Sequence, residues 1–205
     1  MIAIVDYGVG NLFSLKSSFA AVGARTLVTG DAALLRQADK LVLPGVGAFG
    51  DAARKLRQSG LDTLLQEEAA RGKPLLGICL GMQLLFTSSL EYGEHSGLDL
   101  IPGTVHPIAE VIPEGLKIPH IGWNALELTG AEDPILRRVK PGDCVYFVHS
   151  FYARTEDRYI SAVTEYGAKL TACVRRDRVW GCQFHPEKSG RVGLRILREF
   201  TCLEA

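Results

Sequence analysis

Gly77-Ile78-Cys79-Leu80-Gly81-Met82-Gln83 sets a thiol between two glycines, directly after the apolar run Pro74 to Ile78. A nucleophile at a turn from strand to helix is an elbow: its small neighbours relieve crowding, so a strained turn lifts the side chain above the sheet. A free thiol has a pKa of about 8.5, and a helix N-terminus or a nearby imidazolium lowers it toward neutrality. Taken alone, the segment reads equally as a strand packed on a helix, with Cys79 a small core residue.

A second segment supplies what a thiol nucleophile needs. The strand-like run Val179 to Phe184 ends in His185-Pro186-Glu187, where the proline stops the strand and a two-residue spacing sends the histidine and glutamate toward one region. In a Cys-His-acid system the imidazole takes the thiol proton and later protonates the leaving amine, while the carboxylate holds the ring in the useful tautomer. Cys182 with His185 would be a poor start for a zinc site, because no second ligand pair stands at finger or protease spacing; no metal or cofactor is expected. A third segment, Pro44-Gly45-Val46-Gly47, follows the apolar run Lys40 to Leu43. It reads as a plain turn, or as a loop whose backbone N–H groups join that of Leu80 in holding an oxyanion.

These segments need a scaffold that brings them together. Ile2 to Val5, Leu27-Val28, Lys40 to Leu43 and Pro74 to Ile78 read as strands, alternating with helices over Leu12 to Val22, stopped by Gly23, and Asp51 to Arg71, broken near Gly60. The helix after Cys79 is expected to run through Leu84, Leu85 and Phe86. Continuous apolar strands alternating with helices imply parallel pairing with both faces covered: an α/β fold with an open, doubly wound, mainly parallel sheet. From Gly103 onward the pattern changes to strands joined by turns, over Thr104 to Ile108, Ile121 to Leu128, Cys144 to Val148, Tyr159 to Thr164, Leu170 to Val174 and Val179 to Phe184, closed by a helix from about Ser189 to Leu203. That part predicts an added antiparallel or mixed portion. Ligands of open α/β sheets sit beyond the carboxyl ends of the strands, so the loops starting near Tyr7, Pro44 and Cys79 are expected to converge on one crevice.

The 205 residues are 47% apolar, enough for one domain spanning 1–205. The 23 basic and 23 acidic residues balance, and no basic run or long apolar stretch offers a site for nucleic acid or membrane. Five scattered cysteines make a poor disulfide framework and, with no leader-like N-terminal pattern, point to the cytoplasm.

Together, Gly77 to Gln83 and His185-Pro186-Glu187 resemble the class I, triad-type glutamine amidotransferases, whose fold is flavodoxin-like and which release ammonia from glutamine through a glutamyl thioester. Asp6 to Asn11 (DYGVGN), Pro44 to Gly50 (PGVGAFG), Ile118 to Asn124 (IPHIGWN), Tyr146 to Phe151 (YFVHSF) and Gln183 to Ser189 (QFHPEKS) are further similar to the glutaminase subunits of imidazole glycerol phosphate synthases. That resemblance implies Cys79 as nucleophile, His185 as base and Glu187 as its orienter. It also implies oxyanion donors from Val46, Gly47 and Leu80, and a glutamine pocket formed with Gly45, Gly47, Gln83 and Ser150. It implies a heterodimer with a (β/α)8-barrel cyclase subunit that turns the ammonia into imidazole glycerol phosphate and an aminoimidazole carboxamide ribotide in histidine biosynthesis.

A partner is expected on chemical grounds too. Free ammonia is mostly protonated at neutral pH, and the chain has neither a phosphate loop nor length for an acceptor domain. Asn11, Trp123, Asn124, Tyr146 and Lys188 are candidates for the interface or ammonia passage, against ordinary packing for Trp123 and Tyr146. The competing readings are a glutaminase serving another synthase, a stand-alone γ-glutamyl hydrolase, and a non-catalytic module on the same fold.

Overall fold

The structure is a computed structural model that describes residues 1–130 and 132–204. The first half runs β1 (Ile2–Val5), α1 (Leu12–Ala21), β2 (Thr26–Thr29), α2 (Ala32–Gln37), β3 (Lys40–Leu43), α3 (Phe49–Gln58), α4 (Leu61–Ala70), β4 (Leu75–Ile78) and the single turn α5 (Leu80–Gln83). Then come β5 (Phe86–Ser89), β6 (His95–Ser96), β7 (Ile101–Pro107), β8 (His120–Ala125), β9 (Glu127–Leu128), β10 (Cys144–His149) and β11 (Phe151–Arg154). β12 (Ile160–Glu165), β13 (Lys169–Arg176), β14 (Val179–Cys182) and α6 (Gly190–Cys202) complete the order.

The main sheet has the order β2-β1-β3-β4-β14-β13-β12-β9. Its first five strands pair in parallel and the remainder antiparallel, as the change of pattern along the sequence predicts. The opening order 2-1-3-4 is that of flavodoxin-like sheets, with β14 in the fifth place. β1, β3, β4 and β14 are buried along their whole lengths. Their side chains divide with period two: Ala3, Val5, Leu41, Leu43 and Leu75 pack under α2, α3 and α4, while Ile2, Ile4, Val42, Leu76 and Ile78 pack under α1 and α6. That is why these strands are apolar at every position rather than alternately.

Two smaller sheets lie beside the main one: the antiparallel ribbon β8–β10, and a mixed sheet in the order β11-β7-β5-β6. Here the sequence reading needs correcting. The helix after Cys79 stops at Gln83 instead of running through Phe86, because the carbonyls of Leu84 and Leu85 accept from Leu98, Leu100 and Ile101 and draw the chain into β5. Met82, Leu84, Leu85 and Phe86 are all buried, so no exposed face gave the run a period to read. α2 also went unpredicted, although Asp31 caps it by accepting from the Ala33 and Leu34 N–H groups.

Phe200 of α6 is fully buried, with ring centroids 6.5 Å from Phe19 and 6.2 Å from Trp180. Phe200→Ala is expected to cost about 3–5 kcal/mol and lower the melting temperature by roughly 10 °C, as thermal denaturation would measure.

Candidate active site

The sulfur is placed by backbone geometry. Cys79 has φ 54° and ψ −114°, a left-handed conformation rare for a residue with a side chain, and its N–H donates to the Cys182 carbonyl at 2.7 Å. The turn closes because Gly81 lies against β3, where a Cβ would overlap the Leu43 carbonyl oxygen. The expected elbow is therefore present, although α5 is a single turn with little dipole to offer.

β14, hydrogen-bonded to β4, carries the histidine three residues past its end. The His185 N–H donates to the Tyr146 carbonyl at 3.0 Å, and its carbonyl accepts from Ser189 Oγ at 2.6 Å. The ring's Nδ1 lies 2.8 Å from Glu187 Oε1, with both side chains buried. Burial acts to push this imidazole down, but the hydrogen bonds and charges of Cys79 and Glu187 outweigh it and bring His185 up to about 9. The ring lies between a sulfur and a carboxylate, both of which favour its charged form.

Cys79 and His185 line one cavity of ≈ 370 Å³ with Val46, Gly47, Leu80, Gln83, Ser150 and Lys188. The N–H groups of Val46, Gly47 and Leu80, three residues that line the cavity, have no protein acceptor among the described residues. Gly47 sits at φ 90°, a turn that a side chain would strain. Gly45 does not line the cavity: it packs so closely on Leu80 and Gly81 that a Cβ would clash there, so its part is to bring the loop against the elbow. Gln83 is buried, donating to the Phe151 carbonyl at 3.1 Å and to Gln183 Oε1 at 3.0 Å.

Of the interface candidates, Asn11 caps α1 outside the cavity, accepting from the Ser14 N–H at 3.3 Å. Trp123 is 55% exposed and packs edge-to-face on half-buried Tyr146 at 6.0 Å, with the Lys188 ammonium 5.8 Å from the Tyr146 ring. These three form a cluster next to His185 that opens outward. Asn124 hydrogen-bonds inward, to His120 and to the Glu165 carbonyl.

The sequence reading missed several residues at the site. Tyr7 is buried and donates to the Pro44 carbonyl at 2.8 Å, tying the glycine loop to the end of β1; burial pushes its phenol up. Glu91 accepts from the Phe49 N–H at 2.7 Å, standing in for the cap that α3 lacks, and lines the cavity with Tyr92, Pro119, His149 and Phe151. Gln183 Nε2 lies 3.9 Å from the Cys79 sulfur. Gln183, His149 and Phe151 fall within the quoted motifs, but no spacing rule separates them from neighbours that face away. A larger cavity of ≈ 780 Å³ lies between Trp123 and the start of α6, lined by Arg191, Arg195 and Arg198, with no group of the triad in it.

A family model described as Glutamine amidotransferase class-I matches residues 3–202. The chain belongs to the class-I glutamine amidotransferases. Relatives named imidazole glycerol phosphate synthase subunit HisH include one from Carboxydothermus hydrogenoformans, 49% identical over 97% of each chain. Another, from Methanothermobacter thermautotrophicus, is 49% identical over 98% of each, and one from Caldanaerobacter subterraneus is 47% identical over 98% of this chain and 97% of its own. Among solved structures, a glutamine amidotransferase superposes with a TM-score of 0.75 at 19% identity, covering 98% of this chain and 99% of its own. PurLQS from Thermotoga maritima does so with a TM-score of 0.72 at 17% identity, covering 97% and 96%. At those identities the structures speak for the fold alone.

In this amidotransferase, folded His185 holds its proton more tightly than an unfolded histidine, whose pKa is about 6.5. The ring's contribution to stability is therefore complete below about 6.5 and is lost as the pH rises through about 9. Glu187→Gln should bring that loss to lower pH and make it smaller, as melting temperatures from about pH 6 to 10 would register. Tyr7→Phe leaves the Pro44 carbonyl without its donor and frees the glycine loop. It should lower kcat for glutamine by roughly tenfold with little change in KM, by steady-state kinetics with the partner present.

Proposed function

We propose that the chain is the glutaminase subunit of an imidazole glycerol phosphate synthase, a single catalytic domain of the cytoplasm acting in histidine biosynthesis. The observation that carries the chemistry is the common cavity of Cys79 and His185, with the His185 Nδ1 held by Glu187. Near-full-length identity to proteins named as subunits of that synthase supports the pathway.

The Cys79 sulfur gives its proton to His185 and attacks the side-chain amide carbon of glutamine, and the N–H groups of Val46, Gly47 and Leu80 receive the negative charge that develops on the amide oxygen. The His185 imidazolium gives its proton to the leaving nitrogen, so the C–N bond breaks as ammonia departs and a glutamyl thioester remains. His185, now neutral, takes a proton from water; the hydroxide adds to the thioester and the C–S bond breaks. The sulfur takes back the His185 proton, the new carboxylic acid loses its own to solvent, and glutamate leaves with Cys79 and His185 in their starting state. Glu187 keeps the imidazolium paired and its Nε2 turned toward the sulfur.

The ammonia passes to a (β/α)8-barrel cyclase subunit. Lys188 lines the cavity and reaches Tyr146, which packs on exposed Trp123, and an aromatic anchor beside a cation suits a docking surface. No helix among the described residues is long and apolar enough to cross a membrane.

In the complex, a glutamine-mimicking electrophile should label Cys79, and Cys79→Ala should abolish glutamate release, measured by coupled assay. The chain alone should turn glutamine over far more slowly than with the cyclase subunit. Glutamate release that persists in Cys79→Ala would end the thioester mechanism, and equal rates with and without the partner would reject the coupling.

A further inference from the structure

Two histidines outside the triad meet at the end of the β8–β10 ribbon. His120 is fully buried and His149 is 6% exposed; they face each other as a register pair, His149↔His120. His120 is stacked between Phe147 and Tyr166, at 5.0 and 4.0 Å between centroids. His149 reaches the wall of the Cys79 cavity.

Four contacts run end to end through them. Asn124 Nδ2 donates to the Glu165 carbonyl at 2.9 Å, and Asn124 Oδ1 lies 2.9 Å from His120 Nε2. His120 Nδ1 lies 3.0 Å from His149 Nε2, and His149 Nδ1 lies 2.8 Å from the Phe151 carbonyl. Carbonyl oxygens only accept. The Glu165 carbonyl therefore turns the Asn124 nitrogen toward itself and its oxygen toward His120, so His120 Nε2 must carry a hydrogen. The Phe151 carbonyl makes the same demand of His149 Nδ1. A neutral imidazole has one N–H, and each ring has now used it. Two lone pairs would face each other across 3.0 Å.

We propose that His120 and His149 are a positioning pair sharing one proton beyond those of two neutral rings, and that this proton fixes the His149-to-Phe151 wall of the glutamine pocket. The second half of the proposal rests on reading that cavity as the glutamine site. The Phe151 carbonyl is the link, since it also accepts from Gln83 at 3.1 Å. On β8, the neighbouring Ile121 and Trp123 are exposed, so the pair joins an outward-facing strand to the pocket wall.

Burial acts against the proton: together with the charges of His120 and His185 it pushes His149 down to about 4, and burial lowers His120 as well. The titratable groups that face the pair are the Tyr166 ring on His120 and, across the cavity from His149, His185, Cys79, Glu91, Tyr92 and Lys188. Neither ring has a carboxylate hydrogen-bond partner among the described residues. The four-bond chain holds the proton against burial, and rising pH removes it. Without it one ring turns away, and either Phe151 or Asn124 loses its partner.

Nitrogen-15 NMR of histidine-labelled protein, alone and with the cyclase subunit, tests this directly. At about pH 6, near the ordinary histidine range, His120 Nδ1 and His149 Nε2 should show scalar coupling across one N–H···N bond and titrate as a single step. Two neutral, uncoupled rings at that pH would overturn the proposal whatever the enzyme does with glutamine. The second readout is KM for glutamine against pH. It should rise roughly threefold to tenfold as the proton leaves, the worth of one neutral hydrogen bond. In His120→Asn the amide supplies its own N–H to a neutral His149, so KM should be flat over the same range. An unaltered pH slope in His120→Asn would overturn the role in the pocket wall. Intact coupling in a protein that never turns over glutamine would instead overturn the proposed function.

Discussion

The site depends on one backbone interaction, the hydrogen bond from the Cys79 N–H to the Cys182 carbonyl. A non-glycine residue at φ 54° costs about 1–3 kcal/mol and persists only where its surroundings over-determine it. Here β3 and β14 flank β4 and supply the constraint: β3 meets Gly81 from one side, and β14 accepts the Cys79 N–H from the other. The same bond sets the chemistry. Ile78 pairs with Cys182 in parallel register, so the chain leaves both strands at the same edge. Cys79 and His185, over a hundred residues apart in sequence, are neighbours because two buried strands are neighbours.

Electrostatics then decides what those neighbours are. A buried imidazolium would be very costly alone, and paired buried charges are tolerated only where their remaining hydrogen bonds are satisfied. His185 has Glu187 on Nδ1 and Cys79 in the cavity, and its backbone is fixed by Tyr146 and Ser189. Glu187 Oε2 has no hydrogen-bond partner among the described residues, so the carboxylate's attachment is to the ring. The glycine loop beside the sulfur has the opposite character: it carries no charge, and its place is set by how closely Gly45 packs on the elbow.

What the sequence disclosed follows from how local each signal is. Cys79, His185 and Glu187 were legible because an elbow and a proline-stopped strand are short-range patterns, and the parallel sheet was legible because strands covered on both faces are apolar throughout. The extent of the helix after Cys79 was not, since Met82 to Phe86 are all buried and the carbonyls of Leu84, Leu85 and Phe86 are claimed by residues 98–101. Tyr7 could not be found either: its hydrogen bond crosses 37 residues to Pro44 and leaves no trace in spacing. Gly45 was assigned to the pocket from its place in a glycine motif, yet its role is to pack, which only the third dimension distinguishes.

The two halves of the cavity differ in construction. Cys79, Leu80 and His185 follow central strands of the main sheet, where neighbours on both sides fix the backbone. His149, Ser150 and Phe151 belong to the end of a two-stranded ribbon and to the strand after it, where a strand has fewer partners and side-chain hydrogen bonds must do more of the positioning. The exposed side of β8 is therefore joined first to the His149-to-Phe151 wall and only through it to the sulfur.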